Sequence, residues 1–349
     1  MVMRSFEQDT KNGIVPRPEL RSLSGNIYQH PEGKFEERYA HDLLTAFLDK
    51  EDFKVQKDYK SLSGGTEFRA EYTSAEYDPS LHPTIAVICE YDALPEIGHA
   101  CGHNLIAESG IATGLAVRDV LKNNPEVQGQ IVVMSTPGEE DGGGKCYLLA
   151  RSAFADIDFA MMVHPFANND LKPVILGADA CNIHFHNSDN ASSLTCRPMD
   201  AAVQLYQQIA LFRSKFQVDW KVHGVVNPLP EKESPGPGLM SLEKSTHSWY
   251  MVRAVSQKDF HHLQRKLEEF AEAAATSTGC RLDFQWVEEM EVYTGMVHNS
   301  TMAKVYREYS EKEGVVYPDS AKPFYGSTDM GNVSLAVPSI TRASRWEKK

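Results

Sequence analysis

The sequence predicts an α/β fold: a mostly parallel, mixed sheet flanked by helices, with a smaller α+β unit inserted into it. Three observations carry that expectation. Two short β-branched apolar runs, Thr84–Cys89 (TIAVIC) and Gln130–Ser135 (QIVVMS), have the texture of strands buried on both faces. Residues 106–121 between them are rich in Ala and Leu and suit a crossover helix, which completes a β-α-β unit. After Leu176 the texture changes to a polar stretch and two long amphipathic segments, and a chain of 349 residues is long enough for two domains.

Taken in order, residues 35–50 place Phe35, Tyr39, Leu43, Leu44 and Phe47 at helical spacing. Residues 159–163 (FAMMV) read as a further strand. Residues 181–198 (CNIHFHNSDNASSLTCRP) read as a polar, irregular piece, followed by a helix over 200–216. A second helix fits 258–278, where Phe260, Leu263, Leu267, Phe270 and Ala274 form one face and Gly279 supplies the stop. Residues 220–226 and 247–255 read as strands, and 227–238 (NPLPEKESPGPG), with four prolines, as a loop. The expected division is 1–178 for the first part of the larger domain, 179–290 for the inserted one and 291–349 for the return to the first.

Composition narrows the partners. A formal charge of -13 with no basic stripe argues against nucleic acid. No window approaches the roughly 18 apolar residues that span a bilayer, so a membrane role is not expected. The start, MVMRSFEQDTKNGIVPRPEL, has no apolar core of a signal peptide, and the expected compartment is the cytoplasm. Six cysteines stand far apart without a CxxC pair; five read as buried thiols, and Cys101 as the exception.

Cys101 is singled out by its neighbours. Asp92 follows the first strand in CEYDALPEIGHACGHN, with Cys101 and His103 shortly after it. Glu139 and Glu140 follow the next strand in STPGEEDGGGK, and His164 follows the third in MMVHP. Singly, each has an ordinary explanation: a core thiol, a satisfied histidine, a solvated acidic turn. At three successive carboxyl ends of parallel strands, where α/β proteins bind ligands, they point together to a metal. Thiolate, imidazole and carboxylate suit zinc, with manganese or cobalt as alternatives. A Glu-Glu pair lets one carboxylate hold the ion while its neighbour takes a proton from metal-activated water. The glycines at 142–144 let the backbone turn tightly behind that pair; they do not complete a Walker phosphate loop.

The segments CEYDALPEIGHACGHNLIAESG, TPGEEDGGGK, MMVHP, WKVHGVV and GSTDMGNVS resemble the M20 metallopeptidases and amidohydrolases, in register over most of residues 20–340. The resemblance implies a catalytic domain with two divalent metal ions and an inserted lid domain through which subunits pair as a homodimer. It implies Cys101, His103, Glu140 and His164 as metal ligands, Glu139 as general base, and Asp92 as the aspartate that orients a ligand histidine. His223 in WKVHGVV and Arg253 in YMVRAV match family positions and are candidates for binding substrate. The implied reaction is hydrolysis of an amide bond in a small dipeptide or N-acyl amino acid. The chain departs from the family at three places. No histidine follows His298, where relatives carry their last ligand; the lid histidine has no counterpart in FHNSDNASSLTCRP; and SPGPGLMSLEKS replaces an Asn-containing stretch. These departures leave two other readings open: a metal- or partner-binding module without catalysis, and a truncated isoform.

Overall fold

The computed structural model of the protein describes residues 18–187, 196–227, 245–287, 291–318 and 326–345. The chain divides into two compact units: Met1–Val174 with Met296–Phe324 and Asp329–Lys349, and Ile175–Gly295 with Tyr325–Thr328. In chain order the first unit begins with α1 (Pro18–Gln29), α2 (Arg38–Lys50), β1 (Lys54–Lys57), β2 (Phe68–Thr73) and β3 (Thr84–Cys89). It continues through α3 (His103–Asn123), β4 (Gln130–Ser135), α4 (Glu139–Gly142), α5 (Gly144–Ala150) and β5 (Phe159–Phe166). The second unit holds β6 (Gly177–His186), α6 (Pro198–Phe212), β7 (Lys221–Asn227), β8 (Ser245–Ala254), α7 (Gln257–Thr278) and β9 (Arg281–Trp286). The first unit then closes with α8 (Ser300–Lys312), α9 (Met330–Ala336) and β10 (Ser339–Arg345).

The first unit is built on a six-stranded mixed sheet in the order β1-β2-β4-β3-β5-β10. β3, β4, β5 and β10 run parallel, while β1 and β2 are antiparallel to their neighbours. The two apolar runs become the central strands because both their faces are covered: Val87, Ile131 and Val133 pack with Leu44, Phe68, Ile111 and Leu115, and the alternate residues Ala86, Ile88, Val132 and Met134 are buried as well. α3 lies close on this sheet through two glycines. A Cβ on Gly110 would stand 2.3 Å from Cys89 Sγ, and one on Gly114 2.4 Å from Val133 Cγ2. Any larger residue would push the helix outward and move the side chains at its first turn.

The second unit is a four-stranded antiparallel sheet in the order β7-β8-β6-β9. Cys181, Ile183 and Phe185 from β6, Tyr250 and Val252 from β8, and Val222 from β7 pack against Ala201, Leu205 and Ile209 of α6 and the apolar stripe of α7. Ser256 caps α7, its Oγ accepting from Asp259 N at 3.1 Å, and Gly279 ends it in the left-handed region at φ 70°.

Several boundaries differ from the sequence reading, each for a physical reason. The first predicted helix starts at Arg38, because Phe35 adopts φ 61° and cannot sit in a right-handed turn. Residues 181–186 are not irregular but the end of β6: the polar Asn182, His184 and His186 alternate with Cys181, Ile183 and Phe185, a period of two. The helix expected to reach 216 ends at Phe212 and passes into a short 3-10 turn, Arg213–Lys215. β5 runs on to Phe166, so His164 lies within the strand instead of after it. Of the five thiols expected to be buried, Cys89, Cys181 and Cys196 are, whereas Cys146 and Cys280 are half-buried. The Cys196 and Cys280 sulfurs lie 2.8 Å apart. The predicted proline-rich loop from 228 onward and residues 188–195 of the polar piece lie outside the described residues.

A buried carboxyl in β6 makes the second unit pH-sensitive. Asp179 accepts from Ala180 N at 2.8 Å and Gln264 Nε2 at 2.7 Å, and burial raises its pKa from 3.8 to about 6. A raised carboxyl pKa means that the folded state holds a proton the unfolded chain releases, so stability is lost as pH rises from 3.8 through about 6. Asp179→Asn removes that loss, and Gln264 can turn its amide to accept from the new side chain. The variant is expected to gain on the wild type by roughly 1–3 kcal/mol between pH 4 and pH 7, at up to about 1.4 kcal/mol per pKa unit less solvent screening. Urea unfolding at the two pH values checks this; an unchanged difference between variant and wild type would refute it.

Candidate metal centre

The carboxyl ends of β3, β4 and β5 bring the chemistry-bearing side chains together. β3 delivers Glu90 and Asp92, both fully buried. The loop that follows ends in Cys101 and in Gly102, whose φ of 81° turns the chain into α3 with His103 as its first residue. β4 leads through Gly138, at φ 69°, into α4, which opens with Glu139 and Glu140. His164 comes from β5.

Asp92 organises the group. Its Oδ1 accepts from His103 Nδ1 at 2.8 Å and its Oδ2 from the backbone N–H of Glu140 at 2.8 Å. The first bond places the imidazole proton on Nδ1 and leaves the Nε2 lone pair facing the cluster. His164 is held in the same sense, Nδ1 donating to Pro165 O at 2.8 Å, with Nε2 3.7 Å from Cys101 Sγ. Glu37 supports the glutamate turn from the other side. Its Oε1 accepts from Gly138 N and Phe35 N, each at 2.9 Å, and its Oε2 from Thr66 Oγ1 at 2.6 Å.

His103 Nε2 is the centre of the arrangement. Glu90 Oε2 stands 3.6 Å from it, Glu139 Oε2 3.7 Å and Glu140 Oε1 3.7 Å. Two sets of donor atoms each fall within 4.8 Å of one another: Cys101, His103 and His164, and Glu90, His103 and Glu139. Nε2 of His103, Oε2 of Glu90 and Oε1 of Glu140 are buried without a hydrogen-bond partner among the described residues. Such atoms are costly in a protein interior unless something satisfies them. Donors about 2.0–2.3 Å from one tetrahedral ion stand roughly 3.3–3.7 Å apart, so these spacings fit a bound metal and are too long for hydrogen bonds.

The electrostatics agree with a site short of positive charge. Burial and the charge of Glu90 hold the Glu139 carboxyl well above the usual range, and burial also raises Glu140. Burial raises the Cys101 thiol and lowers His164. For His103 burial opposes the charged ring, but Asp92, Cys101 and Glu90 outweigh it and the pKa rises. A divalent ion would replace those protons.

Of the residues read from the sequence, Asp92, Cys101, His103, Glu139, Glu140 and His164 therefore converge in the first unit. His223 and Arg253 lie in the second, on β7 and β8, where His223 pairs across from Met251 and shares its face with Arg253 two residues on. The charge of Arg253 adds to burial in lowering the His223 pKa. Sequence reasoning missed four participants: Glu37, Glu90, Lys145 and Asp329. Lys145 is fully buried, its Nζ 2.5 Å from Glu90 Oε1 and 2.5 Å from Asp329 Oδ1, and its N–H donates to Asp329 Oδ2 at 2.9 Å. The only signal was that Glu90, Lys145 and Asp329 all fell inside the quoted motifs.

The chain is 35% identical over 338 residues to the Xaa-Arg dipeptidase of Homo sapiens, covering 92% of this chain and 75% of that protein. In fold it is similar to the YXEP protein of Bacillus subtilis, a dinuclear metal-binding peptidase from the M20 family. That match has a TM-score of 0.73 and 17% identity, over 95% of this chain and 90% of that one. It is also similar in fold to the aminobenzoyl-glutamate utilization protein of Klebsiella pneumoniae, with a TM-score of 0.72 and 16% identity, over 98% of this chain and 92% of that one. Residues 87–344 match the model of Peptidase family M20/M25/M40, and the chain belongs to that family of hydrolases.

Proposed function

We propose that this protein is a metal-dependent hydrolase of the amide bond in dipeptides or N-acyl amino acids. The observation that carries the reading is the set of buried, unpartnered donor atoms around His103 Nε2. Cys101, His103, Glu140 and His164 would hold the metal, which the donor set suits to zinc, with manganese or cobalt as alternatives. When bound, a divalent ion there supplies Lewis acidity to a substrate carbonyl and makes water a stronger acid. The YXEP protein's dinuclear centre supports two ions.

The chain's own residues do the rest. Glu139 lies at the start of α4, buried beside the cluster with Oε2 3.7 Å from His103 Nε2. It takes the proton from the attacking water and gives it to the leaving amine, a shuttle that its raised pKa favours. Asp92 keeps His103 in the tautomer that presents Nε2. His223 and Arg253, close together on one face of β7 and β8, would serve as substrate-binding residues. The relation to the Xaa-Arg dipeptidase supports dipeptides with a carboxyl-terminal basic residue as the substrate class. Pairing through the second unit is supported by Met199, Val203 and Tyr206, an exposed apolar stripe on α6.

Three outcomes are expected. A chelator removes dipeptide hydrolysis and zinc, manganese or cobalt restores it, with an Xaa-Arg dipeptide among the best substrates of a panel followed by amine release. Stoichiometric metal with no turnover on any amide of the panel would replace this reading by that of a metal-binding module. Glu139→Gln keeps its metal, counted by atomic emission, and loses about 10²- to 10⁴-fold in turnover; a variant as fast as wild type would remove Glu139 from the role of base. Asp92→Asn weakens metal binding about 10- to 100-fold, because the amide cannot hold His103 in the required tautomer. Equal affinities in a competition titration would contradict that role.

A further inference from the structure

Cys196 and Cys280 meet at one end of the helix pair of the second unit. Cys196 lies just before α6 and is buried, 2% exposed, whereas Cys280 follows the glycine that ends α7 and is half-buried. Both are thiols, and their sulfurs stand 2.8 Å apart across 84 positions of sequence. The helices beside them are fixed to their surroundings. Leu205 and Ile209 of α6 share one core with Leu263 and Leu267 of α7, and Ser277 Oγ donates to Gln204 Oε1 between the two helices. Thr246 Oγ1 on β8 donates to Pro198 O at 3.3 Å, which holds the first turn of α6 next to Cys196. Folding of the unit therefore brings the two sulfurs together, and each meets the other at a high effective concentration. Other thiols are placed differently: Cys89 donates to Ala107 O at 3.8 Å, Cys181 lies in the core of the second unit, and Cys101 belongs to the metal centre.

We infer that Cys196 and Cys280 are a modification site, joined in an intramolecular disulfide by exchange with a low-molecular-weight disulfide such as glutathione disulfide. Cys280, the more open of the two, gives up its proton and attacks one sulfur of the oxidant, whose S–S bond breaks and releases one thiolate. Cys196 then gives up its proton and attacks the Cys280 sulfur of the mixed disulfide. The protein S–S bond forms as the second glutathione leaves. Two protein thiols are thereby oxidised, one small disulfide is reduced to two thiols, and the two protons pass to the released thiolates. Burial and the bond with Cys196 raise the Cys280 pKa to about 11, so the exchange starts slowly. A thiol of high pKa is also a poor leaving group, and the shielded Cys196 sulfur gives a reductant little approach, so the bond resists reduction once made. The ring that it closes contains α6, β7, β8 and α7, and with them His223 and Arg253. Its main effect falls on the unfolded chain, whose freedom the cross-link reduces.

The test equilibrates the full chain with glutathione disulfide or with reduced glutathione, blocks the remaining thiols with iodoacetamide in denaturant, and maps the peptides by mass spectrometry. A thermal melt is taken of each sample before blocking. After the oxidised buffer only, the map is expected to show one peptide pair linked through Cys196 and Cys280, with both residues missing from the alkylated set. The melting temperature is expected to rise by at least about 5 °C over the reduced sample. Cys280→Ser is expected to show neither the link nor the rise. Alkylation of both thiols after the oxidised buffer, glutathione left standing on Cys280, or a link to a second molecule would each overturn the inference. A rise of equal size in Cys280→Ser would overturn the claim that the bond stabilises the unit. Should that variant not fold, the wild-type map decides alone. Neither substrate nor metal enters the measurement, so its outcome is independent of the function proposed above.

Discussion

Asp92 makes two hydrogen bonds that run to different parts of the chain. One oxygen fixes the ring of His103 at the first turn of α3, and the other receives the backbone N–H of Glu140 at the start of α4. The loops that leave β3 and β4 are thereby referred to one carboxylate. Although Asp92 is fully buried and burial opposes its charge, the bond from His103 leads the interactions that keep its pKa below the usual value. The anion is therefore the stable form inside the protein. If it were neutral, Oδ1 or Oδ2 would become a donor, and either the tautomer of His103 or the position of the Glu139–Glu140 turn would change.

That constraint explains why the surroundings look overbuilt. Gly138 and Gly143 take left-handed backbone on either side of α4, at φ 69° and 66°, and a Cβ on Gly144 would lie 1.7 Å from Pro137 O. The turn is thus closed to larger residues at the point where it must meet Asp92. Glu37, buried and raised to about 7, accepts from Gly138 N–H and holds the same turn from the side of α2. Buried ionisable groups are poor sources of net stability, since hydrophobic replacements of similar volume often serve as well. Their concentration around one turn makes sense as positioning, and the cost is carried by the apolar contacts of α3 with the central strands.

Much of this was legible in the primary structure, and the limits follow from what periodicity can report. β3 and β4 were located to the residue, because strands covered on both faces leave an unbroken β-branched run. α7 was located to within a residue by its stripe and its glycine stop. β6 was missed because its second half alternates histidine and asparagine with apolar residues, and polarity masked the period. β10 was missed because its polar letters, in SITRASR, hide residues that are buried beside β5, with Thr341 and Arg342 both shielded. Arg342 is reconciled with burial by Tyr306 and Asn169, residues no local pattern could have paired with it.

The site divides along the same line. Groups whose chemistry is local, a Cys and His two apart or two adjacent glutamates, can be recognised from spacing, and strand ends suggest that they meet. Lys145 and its partners cannot, for Glu90 and Asp329 are 239 positions apart in sequence and the lysine alone reads as one more polar residue after a glycine run. A fully buried lysine requires two anions or one anion and good acceptors, so its partners had to be acids brought from elsewhere. Asp329 begins the turn into α9, in the part of the first unit that follows the second unit in sequence. The bond from Lys145 to Asp329 therefore ties that late segment to the loops after β3 and β4. The same ammonium that joins the early and late parts of the first unit also sets which oxygen of Glu90 is left facing His103.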